Sequence, residues 1–175
     1  CAFFLLLFVC LLFLALVEQR QTLEERVAVP LHSLLDELSQ AQTARIEGAS
    51  VQVDNHVGAD LQLLGERFLL RQALSNLLDN ALDFTPAGGV LRWSAAREGE
   101  QLQVCLFNSG AVIPDYALLR LTERFYSLPR PNSGRKSTGL GLNFVQEVAS
   151  LHGGVLQVRN VADGVEVCVR LPAVG

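Results

Sequence analysis

Methionine is absent from all 175 positions, and the first residue is Cys1. Such a chain does not open at an ordinary initiator codon, so it reads as N-terminally incomplete. Charge is also scarce: 18% of residues are charged, the formal net charge is -4 and the pI is about 5.4. Without a broad basic field, a nucleic acid held through its phosphates is not expected as a partner. The four cysteines, at positions 1, 10, 105 and 168, form no CxxC pair and have no histidine at zinc-ligand spacing. That excludes a metal knuckle. Cys105 and Cys168 fall in alternating apolar stretches and read as reduced thiols serving as small strand residues, which suits a reducing compartment. At 19.1 kDa there is room for one ordinary domain and a flanking segment. Half of the residues are apolar, which supports a packed core and excludes a disordered or collagen-like chain.

What is present begins with an apolar run. Cys1 to Val17 carries no charged side chain and sets Phe3, Phe4, Phe8 and Phe13 among leucines. A bilayer-spanning helix needs roughly 17 to 25 such residues, so the run meets the lower limit. A signal peptide fits less well, because no basic segment precedes the run and no small-residue cleavage site follows it before Glu18. A helix buried in an oligomer, or a stretch foreign to the domain, would show the same pattern.

Residues 18–30 read as a helical linker interrupted at Val29-Pro30. Leu31, Leu34, Leu35 and Leu38 then recur at helical spacing. Val51 to Val57 and Leu61 to Leu64 look like a hairpin around Asn55 to Gly58, with His56 in its turn. A helix from about Glu66 to Phe84 carries a broad apolar stripe. Asn76, Asn80 and Asp83 lie at i, i+4 and i+7 on another face of it. Asparagine is a mediocre helix former, so two in register ask for a reason, although a solvated face is the plainer reading. Strands are expected at Val90 to Ala96 and Leu102 to Phe107. A long irregular stretch follows from Asn108 to Thr138, broken by a short helix around Asp115 to Arg124. A helix from about Leu140 to His152 precedes two strands, Val155 to Arg159 and Val165 to Leu171. The expected fold is α+β: a two-layer sandwich with a mostly antiparallel sheet, helices on one face and an added N-terminal apolar helix.

Two phosphate-loop patterns are nearly matched and fail. Gly134 and Gly139 have Walker A spacing, but Leu140 and Gly141 stand where Lys and Ser/Thr are required. Gly139-Leu140-Gly141 could open a dinucleotide fingerprint, yet Phe144 occupies its third glycine position and no strand precedes it. What remains is a glycine turn feeding a helix N-terminus, with Arg135, Lys136, Ser137 and Thr138 upstream. Bare N–H groups and the helix dipole make that an anion site in principle, and such turns are also plain connectors.

Together with the asparagine ridge, the turn resembles the ATP-binding domain of two-component sensor histidine kinases, a relative of the gyrase B, Hsp90 and MutL nucleotide domains. Asn76-Leu77-Leu78-Asp79-Asn80-Ala81 with Phe84-Thr85-Pro86 is similar to the family's N box. Ser109-Gly110 through Ile113-Pro114 is similar to its first glycine box, Glu123-Arg124-Phe125-Tyr126 to its F box, and Gly139-Leu140-Gly141-Leu142 to its second glycine box. The runs around Ile113-Pro114 and Phe125-Tyr126-Ser127-Leu128-Pro129-Arg130 look closest to the carbon-source-responsive sensor kinases. The resemblance implies an ATP-binding domain over residues 31–175. It implies ATP and Mg²⁺ as cofactors and a phosphotransferase that passes the γ-phosphoryl group to a histidine. Asn80 would hold the metal and Asn76 would support it. Asn108 and Gly110 would lie at the base, Phe125 in the F box, and Thr138, Gly139, Leu140 and Gly141 at the phosphates. Arg135 and Lys136 would meet phosphate charge from a lid over Ser127 to Thr138.

Three departures accompany this. Asn108 stands where the family usually has an aspartate that accepts from the adenine amino group, and Val112 replaces a glycine. Asp83 takes the place of a frequent basic residue and would repel phosphate unless magnesium intervenes. The phosphoacceptor box is missing: His32, His56 and His152 read as surface or cap histidines, His32 without an acidic neighbour, and none is expected to accept the phosphoryl group. A histidine-bearing dimerisation domain must then come from outside this stretch. A response regulator and a homodimer are implied as partners, and placement at a bacterial inner membrane with the ATP domain in the cytoplasm, or wholly in the cytoplasm if residues 1–17 do not span. A hydrolytic clamp of the gyrase B type is disfavoured, because its general-base glutamate is replaced by Asn76, whose amide accepts no proton. A module that binds nucleotide or a partner without turnover is the remaining alternative.

Overall fold

The computed structural model describes residues 15, 23, 25–130 and 138–175. The apolar run over residues 1–17 therefore lies outside the described residues but for Ala15, as do Arg135 and Lys136. Among the described residues no helix is long and apolar enough to cross a membrane.

Two sheets are built, not one. β1 (Val27–Pro30) pairs antiparallel with β3 (Gln62–Gly65). The larger sheet has five strands in the order β2 (Gln52–Asn55), β4 (Val90–Glu98), β5 (Gln101–Ser109), β7 (Gly164–Pro172), β6 (Val155–Val161). Its neighbours run antiparallel except β2 and β4, which are parallel, so the sheet is mixed. The hairpin expected from Val51 to Leu64 does not form. β2 joins the edge of the large sheet through Gln52 opposite Val90, while β3 takes β1 as its partner. Both segments carry the alternation of strands, but alternation is blind to which distant strand completes the hydrogen bonds. His56 accordingly lies beside β4, its N–H donating to the Trp93 carbonyl at 3.0 Å.

The helices are α1 (Leu31–Ala41), α2 (Thr43–Gly48), α3 (Arg67–Phe84), α4 (Asp115–Leu118) and α5 (Gly141–Leu151). The apolar stripe on α3 buries Leu70, Leu74, Leu77 and Leu78 to 2% exposure or less. It packs with Phe144, Val145 and Val148 of α5 over alternate strand residues, among them Leu91, Trp93, Leu102, Val104 and Leu106. Each such leucine is worth about 1.5–3 kcal/mol of transfer free energy. Trp93, opposite Leu106 in the register, is fully buried, and its indole N–H has no partner among the described residues. The short helix expected to reach Arg124 stops at Leu118 and gives way to turns.

Two readings of single residues are corrected. Cys105 and Cys168 stand directly opposite each other on β5 and β7, with Cα atoms 4.1 Å apart, and form a disulfide. Neither strand read alone reveals that register. His152, expected at the surface of a helix end, is 2% exposed. Its Nδ1 donates to the Val148 carbonyl at 2.8 Å, and its Nε2 accepts the Glu66 N–H at 3.1 Å. That bond satisfies a donor at the α3 N-terminus, where no side chain caps the helix. Burial pushes the imidazole pKa below its ordinary 6.5.

Candidate functional site

A cavity opens between α3, the N-terminus of α5 and the helix-side face of β5, β6 and β7. Leu106, Val158, Val165 and Val167 form its apolar floor, and Leu77, Asn80, Ala81 and Phe84 one wall. Tyr126, Ser127, Gly139 and Gly141 stand at another side, and among the described residues none in the lining carries a charge. An apolar slot with a few polar groups suits a flat, mostly uncharged ring.

Asn80 projects from α3 against the first residue of α5. A Cβ on Gly141 would lie 3.2 Å from Asn80 Nδ2 and 3.6 Å from its Oδ1, so the glycine leaves the space that the amide occupies. Asn80 Nδ2 is buried without a hydrogen-bond partner among the described residues. An orphaned buried amide costs free energy that a ligand can recover. Gly139 holds φ +69°, and a Cβ there would come within 2.5 Å of the Phe125 backbone. Phe125, itself at φ +63°, donates its N–H to the Gly139 carbonyl at 3.1 Å, which clips the two segments together.

Asn108, on β5, is 6% exposed and lines the cavity. Its Nδ2 makes only a long 3.5 Å contact to the Ser109 carbonyl. Of the residues expected at the site, the fold thus brings Asn80, Asn108, Gly139 and Gly141 to one cavity. Asn76 lies half-buried one turn before Asn80, outside the lining. Gly110 secures the β5 end by donating to the Asp163 carbonyl, Phe125 points its ring to solvent, Thr138 is half-buried beside the turn and Leu140 is in the core.

Asp83 does not stand as a bare negative charge. Arg45 Nη2 meets its Oδ1 at 3.0 Å and Arg130 Nη2 its Oδ2 at 2.6 Å, while Arg45 Nη1 also reaches Asp79 at 2.6 Å. Burial pushes the Asp83 carboxyl above its ordinary range, and the two guanidiniums oppose that shift. The expectation of a phosphate-repelling carboxylate is corrected by this pairing, with Arg130 brought from beyond the F box to the ridge. Nothing in the spacing of Arg130 flagged it. The basic character of that stretch, Arg130 with Arg135 and Lys136, was the available signal. His32 also differs from expectation: Asp36, one turn on, lies 3.3 Å from its Nε2, and its Nδ1 bonds the Val57 carbonyl at 2.7 Å.

An asparagine of one helix facing a glycine turn at the head of another, over a sheet whose inner face supplies an apolar floor, defines an ATPase-type nucleotide domain. Residues 65–175 match the family described as histidine kinase-, DNA gyrase B-, and HSP90-like ATPase, and the chain belongs to that family. Within it, the chain is of the sensor histidine kinase catalytic-domain type. It is 46% identical to the sensor protein CreC of Escherichia coli K12 over 138 residues, 78% of this chain and 28% of that protein. Against the sensor histidine kinase CusS of the same organism it is 33% identical over 165 residues, 93% of this chain and 34% of that one. The chain thus spans about a third of the length of the curated relatives it matches. Among solved structures, Acinetobacter baumannii histidine kinase AdeS superposes with a TM-score of 0.78 at 20% identity, covering 95% of this chain and 76% of that one. Full-length ShkA, solved with AMPPNP, gives 0.82 at 23% identity over 97% of this chain and 36% of that one. These two likenesses speak for the fold.

Proposed function

We propose that the cavity binds ATP with Mg²⁺ and presents the γ-phosphoryl group to a histidine on a dimerisation domain, in a two-component sensor kinase that works as a homodimer and passes the group to a response regulator. The observation that carries this reading is the orphaned Asn80 amide set against Gly141 at the head of α5. The adenine ring would lie on the floor of Leu106, Val165 and Val167, where the Asn108 side-chain oxygen accepts from the exocyclic amine. That bond lacks the charge assistance a carboxylate would give. The triphosphate would run to the N-terminus of α5, where Thr138, Gly139, Leu140 and Gly141 offer backbone donors and a favourable dipole.

A hard cation that keeps most of its waters suits the single neutral oxygen of Asn80, with Asn76 as support. When bound, the ion neutralises charge developing on the phosphates. Arg130, held by Asp83 one turn beyond Asn80, would serve as a phosphate counter-charge beside a cavity whose described lining has none. Asn76 accepts no proton, which favours transfer over hydrolysis. Catalysis on this reading is positioning and charge neutralisation. Residues 27–175 would form this domain, because the expected helical linker ends in β1, which pairs with β3 and buries Val29; residues 18–26 would be the linker, and residues 1–17 a membrane anchor or the remnant of a dimerisation helix. The domain would face the bacterial cytoplasm. ThkA, a relative in fold, was solved in complex with the response regulator TrrA, which supports a partner of that class.

The deciding experiment incubates the chain with γ-labelled ATP and Mg²⁺, alone and with a dimerisation domain from a related kinase. Acid-labile label on the added domain, and none on His32, His56 or His152, is the expected result. Both ring nitrogens of His32 and His152 are already engaged. Binding of ATP without transfer to any added domain would favour a module without turnover.

A further inference from the structure

Behind the nucleotide cavity, the opposite face of the large sheet carries a feature that the proposed reaction does not use. Cys105 and Cys168 sit midway along the two central strands, whose register runs from Gln101 opposite Pro172 to Ser109 opposite Gly164. Alternation turns both sulfurs away from the helices and outside the cluster packed beneath them, although both residues are buried, at 7% and 4% exposure. We propose that this pair is a reversible thiol–disulfide site, oxidised and reduced by a low-molecular-weight couple of the glutathione class.

The ladder holds the strands together on both sides of the pair, so the two side chains stay face to face whether or not the bond exists. Oxidation then needs no search through chain conformations, and reduction needs no loss of strand pairing. Each sulfur has a polar side chain of the open face beside it. Gln103 Nε2 lies 3.6 Å from Cys105 Sγ, and Glu166 Oε2 lies 3.5 Å from Cys168 Sγ. On this proposal Gln103, an unbranched and half-buried side chain, rotates to admit a small thiol.

The two neighbours also divide the roles. An amide N–H beside Cys105 favours negative charge on that sulfur, whereas the Glu166 carboxylate, itself bound by Arg159, disfavours it on Cys168. Thiolate is the attacking species. Cys105 thiolate attacks one sulfur of glutathione disulfide, forms a mixed disulfide and releases one glutathione thiolate. Cys168 then loses its proton to water and attacks Cys105 Sγ, expelling the second glutathione thiolate. Two protein thiols are oxidised to one disulfide and one glutathione disulfide is reduced to two thiols. Excess reduced glutathione runs the same steps backwards.

The test equilibrates the whole chain at neutral pH in buffers of varied reduced to oxidised glutathione ratio. After acid quenching, free thiols are alkylated and counted by mass spectrometry on the peptides that hold Cys105 and Cys168, with circular dichroism reporting the fold. The proposal expects one two-thiol transition, reached from both directions, with the fold native at either end. In Cys168→Ser a glutathione adduct accumulates on Cys105, and in Cys105→Ser far less accumulates on Cys168. A disulfide that persists in excess reduced glutathione and opens only with denaturant would make the pair a permanent crosslink and overturn the proposal. Thiols that stay free in excess oxidised glutathione would overturn it equally. The titration of the unsubstituted chain decides without either variant.

Discussion

Asn80 and Gly141 face each other across the α3–α5 interface: a Cβ at position 141 would sit 3.2 Å from Asn80 Nδ2, closer than an ordinary contact. Gly141→Ala puts a methyl group 3.2 Å from Asn80 Nδ2, so the amide must shift by a few tenths of an ångström from its position at the cavity wall. The expected result is MgATP affinity lower by about tenfold, or ~1.4 kcal/mol, read by calorimetric titration. Because residue 141 is helical, alanine favours α5 itself by about 0.5–1 kcal/mol, so the melting temperature should not fall with the affinity.

Asn80→Ala separates binding from stability more sharply. It removes a buried donor that has no partner among the described residues, so unfolding free energy should hold or rise by up to about 1 kcal/mol. The magnesium-dependent part of ATP affinity should vanish. Equal ATP affinity with and without magnesium in the unsubstituted chain would remove Asn80 from a metal role.

Gly139→Ala acts on the fold. The residue needs φ +69°, and its new Cβ would meet Phe125 and Tyr126 backbone atoms at 2.5–2.7 Å. The left-handed conformation alone costs about 1–2 kcal/mol, and backbone cannot rotate away as a side chain can. Chemical denaturation should show a loss above about 2 kcal/mol, with hydrogen exchange fastest at the Phe125–Gly139 clip.

Arg130→Ala should weaken ATP more than ADP, by about fivefold against less than twofold, if its guanidinium faces the terminal phosphate. Asp83 keeps its ion pair with Arg45, so the half-buried carboxylate is not left unpaired and the loss of stability should stay modest, on the order of 1 kcal/mol. Equal weakening for both nucleotides would assign Arg130 to loop structure alone.

Acid should loosen the junction of α3 and α5 through His152. Its pKa is lowered by burial from 6.5, so as pH falls the unfolded chain takes up the proton first. The stabilisation is complete above pH 6.5 and is lost as pH drops from there through the lower folded value. Urea titrations at a series of pH values should show this slope, and His152→Gln should flatten it at the cost of some stability at neutral pH.

The parts of this molecule that depend on neighbours in sequence were legible from it. The stripe from Leu69 to Leu82 and the turn at Gly139 follow local rules of periodicity and backbone freedom, and the asparagine ridge beside that stripe holds Asn80, which the fold sets on the cavity wall. Pairings across long separations were not legible. β2 and β3 read as one hairpin because both alternate, and only the competition for edge positions sends them to different sheets. Cys105 meets Cys168 because nine residue pairs of β5 and β7 share one register. The Glu66–His152 bond spans 86 positions, and the Arg130–Asp83 pair joins segments whose charges, taken separately, suggested repulsion at the ridge.

Trp93 gives this domain an optical reporter without labelling. It is the chain's single tryptophan, fully enclosed and paired in register with Leu106, whose side chain lies on the cavity floor. An indole in apolar surroundings, with its N–H away from water, emits toward the blue. A ring stacked on Leu106 is one residue away from it, so occupancy of the cavity and loss of the core would each change the same emission band in distinguishable ways: intensity for the first, wavelength for the second.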